Sequence, residues 1–249
     1  MKSTIIYLNK TNGIWSPPSI APFSGKSRDL EAFFSTDGKT VFFSSDRQIN
    51  DADSINDFDI WKVEKEKSGW GDPINLGTTI NSLKNEFYPS VTRTGNIYFT
   101  IEPINGYGEE DIVLCRNVNG KYLEREILDT TINTAGDEFN AYVNAEETFI
   151  IFTSYKSRSD EQGGGDLYIS NKHDNKWSTA VNIKAVNSPY LDYCPFVTRN
   201  NKTLFFASNR NTMAQKKSTT YKDLLEMLKS SGNSSDDIYW IDLEKAIGK

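Results

Sequence analysis

One histidine and two cysteines are all that the 249 residues offer of the side chains that most often carry nucleophilic, redox or zinc chemistry. His173 sits in the polar turn "NKHDNKW", a poor place to bury a base, so a Ser–His–Asp or Cys–His site has little to build on. The same count excludes a histidine-rich zinc site. Cys115 and Cys194 lie in the strand-like runs "DIVLCRNV" and "YCPFV". They make neither a disulfide framework nor a zinc set and read as small hydrophobes. Long apolar runs are missing, so no segment reads as a membrane-spanning helix. "MKSTIIYLNKTNG" has no continuous apolar stretch, so no signal peptide is visible. Either the protein is cytoplasmic or Met1 lies inside a longer natural sequence. The net charge is −6 with no basic block, which speaks against a nucleic-acid partner. A Gly-x-Ser-x-Gly nucleophile elbow is also absent.

Aromatic residues, by contrast, are plentiful, with 14 Phe, 12 Tyr and 5 Trp, and pleated strands accommodate them well. Hydrophobic and charged fractions of 37% and 25% describe a folded chain with a sizeable core, read as one domain over 1–249. The dominant feature is repetition. Asp59 to Trp70, Asp111 to Tyr122, Asp166 to Trp177 and Thr4 to Trp15 are each separated by 11 residues, and a further copy opens at Asp237. A second block opens with an acid at Asp29, Glu86, Glu138 and Asp192, at spacings of 57, 52 and 54 residues.

Each unit reads as four short strands, in the first case Phe33–Ser35, Thr40–Ser45, Phe58–Glu64 and Trp70–Leu76. Gly, Asn, Asp and Pro bound the strands, and "TDGKT", "TGN" and "RNNKT" are tight hairpin turns. No helix alternates with the strands, so the pattern predicts an all-β propeller of four-stranded antiparallel blades. Four blades are recognisable, with an N-terminal half-blade before them. The strand count predicts either five blades in a longer natural chain or a four-bladed ring closed by Ile14–Ile20 beside Asp237–Asp242.

These blocks resemble the TolB-like, WD40-like propeller repeat: an acid, Pro, an Asp-Gly turn, a Phe-Ser-Ser-Asp-Arg strand end, a loop and Asp-Ile-Tyr. Asp29, Asp37-Gly38 and "VFFSSDR" carry it in the first blade. Glu86, Pro89 and Asp111 carry it in the second, with Pro103 where the Arg belongs. Glu138 and Asp166 mark the third, with Glu146-Glu147 replacing Asp-Gly, and Asp192, Pro195, Arg210 and Asp237 the fourth. The resemblance implies a periplasmic or cell-envelope protein whose natural sequence carries a signal peptide.

Two readings attach to the acid column Asp29, Glu86, Glu138 and Asp192. It is a set of carboxylates binding a cation or polar ligand together with Arg47, Arg158 and Arg210, or each acid is neutralised inside its own blade by one of those arginines or caps a neighbouring turn. Three guanidiniums also suit a sialidase-like carboxylate clamp, and "STDGKT" resembles an Asp-box without its extra residue. The column Asp59, Asp111, Asp166 and Asp237 reads as structural, bonding the turns before each third strand. "NDADSINDFD" (50–59) resembles a calcium loop in composition only, so no cofactor is expected beyond weak calcium. "KSRSDEQGGGD" reads as a flexible linker.

An insertion in the fourth blade predicts an amphipathic helix over Thr220–Lys229, with Tyr221, Leu224, Leu225 and Leu228 on one face and Ser218 or Thr219 as cap. That face docks a partner or packs on its own blade. The functional expectation is a monomeric, non-catalytic module binding a protein or glycan on its loop face. The alternative is a glycan-active enzyme using Glu86 and Glu138, with Glu102 as a further acid. Two carboxyls roughly 5–10 Å apart and free of arginines favour the enzyme. Acids paired within their blades favour the scaffold.

Overall fold

A computed structural model describes residues 3–50, 56–213 and 220–248. The fold is a four-bladed β-propeller, with two blades in each of two compact units. One unit is Met1–Gly106 with Asp111–Leu128, the other Tyr107–Glu110 with Asp129–Lys249.

The first unit opens with β1 (Ile6–Tyr7), β2 (Lys10–Thr11), β3 (Ile14–Trp15) and β4 (Ser19–Ile20). β1 pairs with β4 and β2 with β3. Pro17 and Pro18, without backbone donors, split the expected strand Ile14–Ile20 into two pieces. Those pieces are bonded to β1 and β2. The register is that of a blade's outer half: Asp29 N donates to Ser3 O as Glu86 N does to Phe58 O. Ala21 N likewise donates to Ile5 O as Leu76 N does to Ile60 O. The fifth blade expected of a longer natural sequence has no counterpart among the described residues beyond this half-blade.

Blade 1 consists of β5 (Asp29–Phe34), β6 (Thr40–Ser45), β7 (Asp59–Glu66), β8 (Gly69–Trp70) and β9 (Ile74–Asn75). All pairs are antiparallel, and β8 and β9 both lie on β7. The expected strand Trp70–Leu76 is therefore two short pieces, interrupted at Asp72-Pro73 for the same reason. Blade 2 repeats the plan with β10 (Glu86–Val91), β11 (Ile97–Ile101), β12 (Asp111–Cys115), β13 (Asn117–Val118), β14 (Lys121–Tyr122) and β15 (Glu126–Ile127). Phe42, Ile60, Val91, Ile97, Phe99 and Val113 interlock between blades 1 and 2. Burying each such side chain contributes about 1.5–3 kcal/mol.

In the second unit, blade 3 is β16 (Asp137–Val143), β17 (Phe149–Tyr155), β18 (Asp166–His173), β19 (Lys176–Trp177) and β20 (Val181–Asn182). Blade 4 is β21 (Asp192–Val197), β22 (Thr203–Ser208) and β23 (Asp237–Asp242), with α1 (Tyr221–Lys229) inserted before β23 and α2 (Leu243–Ala246) after it. Thr220 caps α1 in a reciprocal box: its hydroxyl accepts from Asp223 N, and the Asp223 carboxylate accepts from Thr220 N. The expected caps Ser218 and Thr219 lie outside the described residues. No residue of α1 is buried, so its apolar face does not pack into its own blade.

Every inner strand bends at the same place. Glu31, Tyr88, Asn140 and Cys194 stand two residues after the column acids with φ of 58°, 53°, 51° and 50°. In each case the pairing register shifts there, so a bulge turns the strand within every blade.

Candidate functional site

The acid column is buried, and each acid is bound inside its own blade. In blade 1, Asp29 accepts from Ser24 Oγ, Gly25 N, Ser45 Oγ and Arg47 Nη2, the last at 2.5 Å. In blade 4, Asp192 accepts from Ser188 N and Oγ and from Arg210 Nη2 at 2.5 Å. In blade 3, Glu138 accepts from Thr134 and Ser154, with Arg158 at 3.8 Å.

The three arginines share further contacts. Each donates Nε to the serine paired with its acid near the end of the second strand, Ser45, Ser154 or Ser208. Each donates Nη2 to a carbonyl six residues before its acid: Phe23, Ile132 or Val186. Each guanidinium also lies over two neighbouring rings: Phe43 and Trp61, Phe152 and Tyr168, or Phe206 and Tyr239. A desolvated carboxylate requires a partner of this kind, and the rings beneath it hold the planar cation in place.

Blade 2 departs from the module in three places. Ile101 replaces the serine, Pro103 the arginine, and Val113 the third-strand aromatic. Glu86 bonds Ser82 N and Oγ and receives a cation from Arg125, just before β15, at 3.5 Å. Burial pushes the Glu86 carboxyl up to about 7. The Ser82 bonds and Arg125 offset only part of that effect, and nearby Asp59 adds to it. Burial raises Glu138 and Asp166 as well.

A cleft of about 900 Å³ opens in the first unit beside this altered module. Its polar lining includes the carboxylates Asp57, Asp59 and Glu102, the cations Lys84 and Arg125, and the amides Asn75, Asn81 and Asn105. Ile49, Leu83, Ile101, Ile104 and Ile127 supply apolar surface. Glu102 is half-exposed, accepts from Asn85 Nδ2 at 2.7 Å and lies 4.0 Å from Lys84 Nζ. Ser82 and Arg125, which hold Glu86, also line the cleft, so that buried acid stands directly behind its wall.

The second aspartate column is built into turns. Asp166 accepts from Gln162 N and Asn182 Nδ2, Asp237 from Gly232 N, and Asp59 from Asn75 Nδ2. The blade 3 loop is organised and not a loose linker: Glu161 accepts from the backbone N–H groups of Lys156, Ser157 and Arg158. Much of the acidic loop 50–59 lies outside the described residues. Among the described residues, no group of three or more His, Cys, Asp or Glu is placed to hold a metal ion, and no helix is long and apolar enough to cross a membrane. The helix residues Tyr221, Leu224, Leu225 and Leu228 are all exposed.

Neither a protein-family model nor a curated protein matches the chain. Solved structures share its fold at low identity. A protein assigned as TolB from Agrobacterium tumefaciens is 15% identical, with a TM-score of 0.53, over 82% of this chain and 62% of that one. The chain thus spans less than two thirds of that relative's length. The GH43 endo-arabinanase of Bacillus licheniformis is 11% identical, with a TM-score of 0.54, over 97% and 87% of the two chains. The α-L-arabinofuranosidase of Lactobacillus brevis is 12% identical, with a TM-score of 0.53, over 91% and 78%. The chain is a β-propeller related in fold to TolB-like and glycosidase propellers.

Proposed function

We propose that this propeller handles glycans and that the cleft beside blade 2 is its ligand site. The cleft carries the reading. It has the volume of a small-molecule site and a mainly apolar lining set with a few polar groups, Glu102, Lys84, Asn105 and Arg125 among them, able to orient a sugar's hydroxyls. Ile101, Ile104 and Ile127 offer surface for the apolar face of a sugar ring. The acid column serves the fold, since each member is bound within its blade, so the primary role is binding. The fold likeness to an arabinanase and an arabinofuranosidase agrees with a sugar ligand, and the TolB likeness agrees with an envelope location.

Hydrolysis is the second reading, favoured by one observation. The cleft presents the half-exposed carboxyl of Glu102, and a carboxyl open to a ligand is what glycoside hydrolysis requires of its acid or base.

Calorimetry with a panel of neutral, acidic and amino oligosaccharides, arabinan fragments included, tests the proposal. Ile101→Ser with Pro103→Arg restores the serine–arginine pair of the sister blades and should obstruct the part of the cleft beside Pro103. Saturable binding by the native chain, lost in that variant at unchanged melting temperature, is expected. Absence of binding across the panel, or binding the variant retains, overturns the proposal. Release of reducing ends, abolished by Glu102→Gln, would favour hydrolysis over capture.

A further inference from the structure

The last blade lacks a cover that its sisters carry. In blades 1, 2 and 3 the outer edge of β7, β12 or β18 receives a short strand, β9, β15 or β20. In blade 4 the sheet ends at β23, and α2 follows where the sister blades turn back toward an outer strand. Ile238 holds the position of Ile60, Ile112 and Leu167, each just after its column aspartate. Those three are fully buried, whereas Ile238 is 80% exposed and Trp240, on the same face, 71% exposed.

The backbone there is open as well. Ile60 N donates to Asn81 Oδ1, and Ile60 O accepts from Leu76 N and Asn81 Nδ2. Leu167 is bonded in the same way by Asn187 and Ile183. Even Ile5 of the half-blade donates N to Ser24 Oγ and accepts from Ala21 N. Ile238 faces Ala207 in the register in which Ile60 faces Ser44, so its N–H and C=O also point away from the second strand, and they meet no partner among the described residues. Asp237 is half served. It accepts from Gly232 N as Asp166 accepts from Gln162 N, but among the described residues no amide matches Asn182, which bonds Asp166 at 2.8 Å.

We infer that the outer edge of β23 docks an extended segment of a partner protein, which adds there as the missing strand. The repeat specifies the chemistry of that segment. Ile74-Asn75-Leu76 and Val181-Asn182-Ile183 give apolar–Asn–apolar, and a second apolar–Asn pair, Ile80-Asn81 or Val186-Asn187, ends the turn. The first Asn bonds the column aspartate and the second the backbone of the third strand. The outer strands of this chain are already engaged: β4, β9, β15 and β20 lie on β1, β7, β12 and β18. A second copy's β23 does not suit the edge, since "DIYWID" brings aspartates and no amide for Asp237.

The test adds the end-capped peptide "AVNIKAVNS" (180–188) to the full chain and follows tryptophan emission and amide exchange. The peptide should bind saturably, move the emission to shorter wavelength as Trp240 is covered, and slow exchange of the Ile238 and Trp240 amides at least about ten-fold. Asn182→Ala with Asn187→Ala in the peptide should weaken binding about ten-fold. Trp240→Lys in the protein, at an exposed site, should weaken it as much at unchanged melting temperature. No binding at millimolar peptide, equal binding of the Asn-free peptide, or binding that leaves the two amides unprotected overturns the site. Self-association of the chain alone in the ultracentrifuge, lost in Trp240→Lys, gives the edge to a second copy and overturns the partner strand.

Discussion

Arg125 reaches from the outer part of blade 2 to within 3.5 Å of the buried Glu86 carboxylate, covering an acid whose own blade position for arginine is filled by Pro103. The pairing is a repair. A cation from an unrelated position supplements the Ser82 bonds of this buried carboxyl, at longer range than the 2.5 Å contacts of Arg47 and Arg210.

That repair should matter only when Glu86 is charged. Arg125→Ala is expected to cost about 1 kcal/mol of stability at pH 8 and almost nothing at pH 5. Urea denaturation of both proteins at the two pH values measures this, and an equal loss at both would show that Arg125 acts through packing.

Glu86 itself should tilt the pH profile. The carboxyl titrates at its ordinary value of 4.5 when unfolded and at about 7 in the native chain, so between these values only the native state holds the proton. Stability contributed by the group is complete below about 4.5 and is lost as pH rises through about 7, a fall on the order of 1–3 kcal/mol. Glu86→Gln should flatten that slope. Some slope should persist, because Glu138 and Asp166 are raised in the same direction. An unchanged profile in the variant would place the titration elsewhere.

Arg210 should be among the costlier surface-adjacent positions to truncate. Arg210→Met strands Asp192 and the Val186 carbonyl and is expected to cost about 3 kcal/mol. Arg210→Met with Asp192→Asn should cost clearly less than the two single changes together, because neither partner is then left charged and alone. Chemical denaturation of the four proteins closes the cycle, and strict additivity would refute the coupling.

The two thiols should differ sharply. Cys115 is buried and its thiol is pushed up to about 12 by that burial, whereas Cys194 is half-buried and bonds Asn140 Oδ1 at 3.5 Å. Thiolate is the reacting species. A thiol reagent at pH 8 should therefore consume one equivalent in the native state and two in denaturant. Two equivalents without denaturant would contradict the core position of Cys115.

Periodicity made most of this architecture legible. Acid, turn, Phe and Asp-Ile columns recur because each blade must solve the same packing problem, and Thr40–Ser45 emerges as β6 with its boundaries intact. The arginine partners of Asp29, Glu138 and Asp192 were readable for the same reason. Arg125 was not, since it stands outside every column and reaches Glu86 only through the fold. The cleft was half visible: Pro103 broke the pattern in the sequence, but the space and the acids around it come from residues as separate as Ile49 and Ile127. Breaks at Pro17-Pro18 and Pro73 shorten the outer strands more than the apolar pattern suggested, because a missing donor matters only where a neighbour needs it.

The recurrent bend of the inner strands has one more consequence. Four chemically unlike residues, Glu31, Tyr88, Asn140 and Cys194, share one left-handed backbone shape that most side chains resist. Glu31 reaches Tyr88 N, and Cys194 reaches Asn140, so within each unit these positions meet across adjacent blades. The frame thus provides sockets whose contents are free to vary: new chemistry can be fitted at four equivalent points without redrawing the scaffold that carries them.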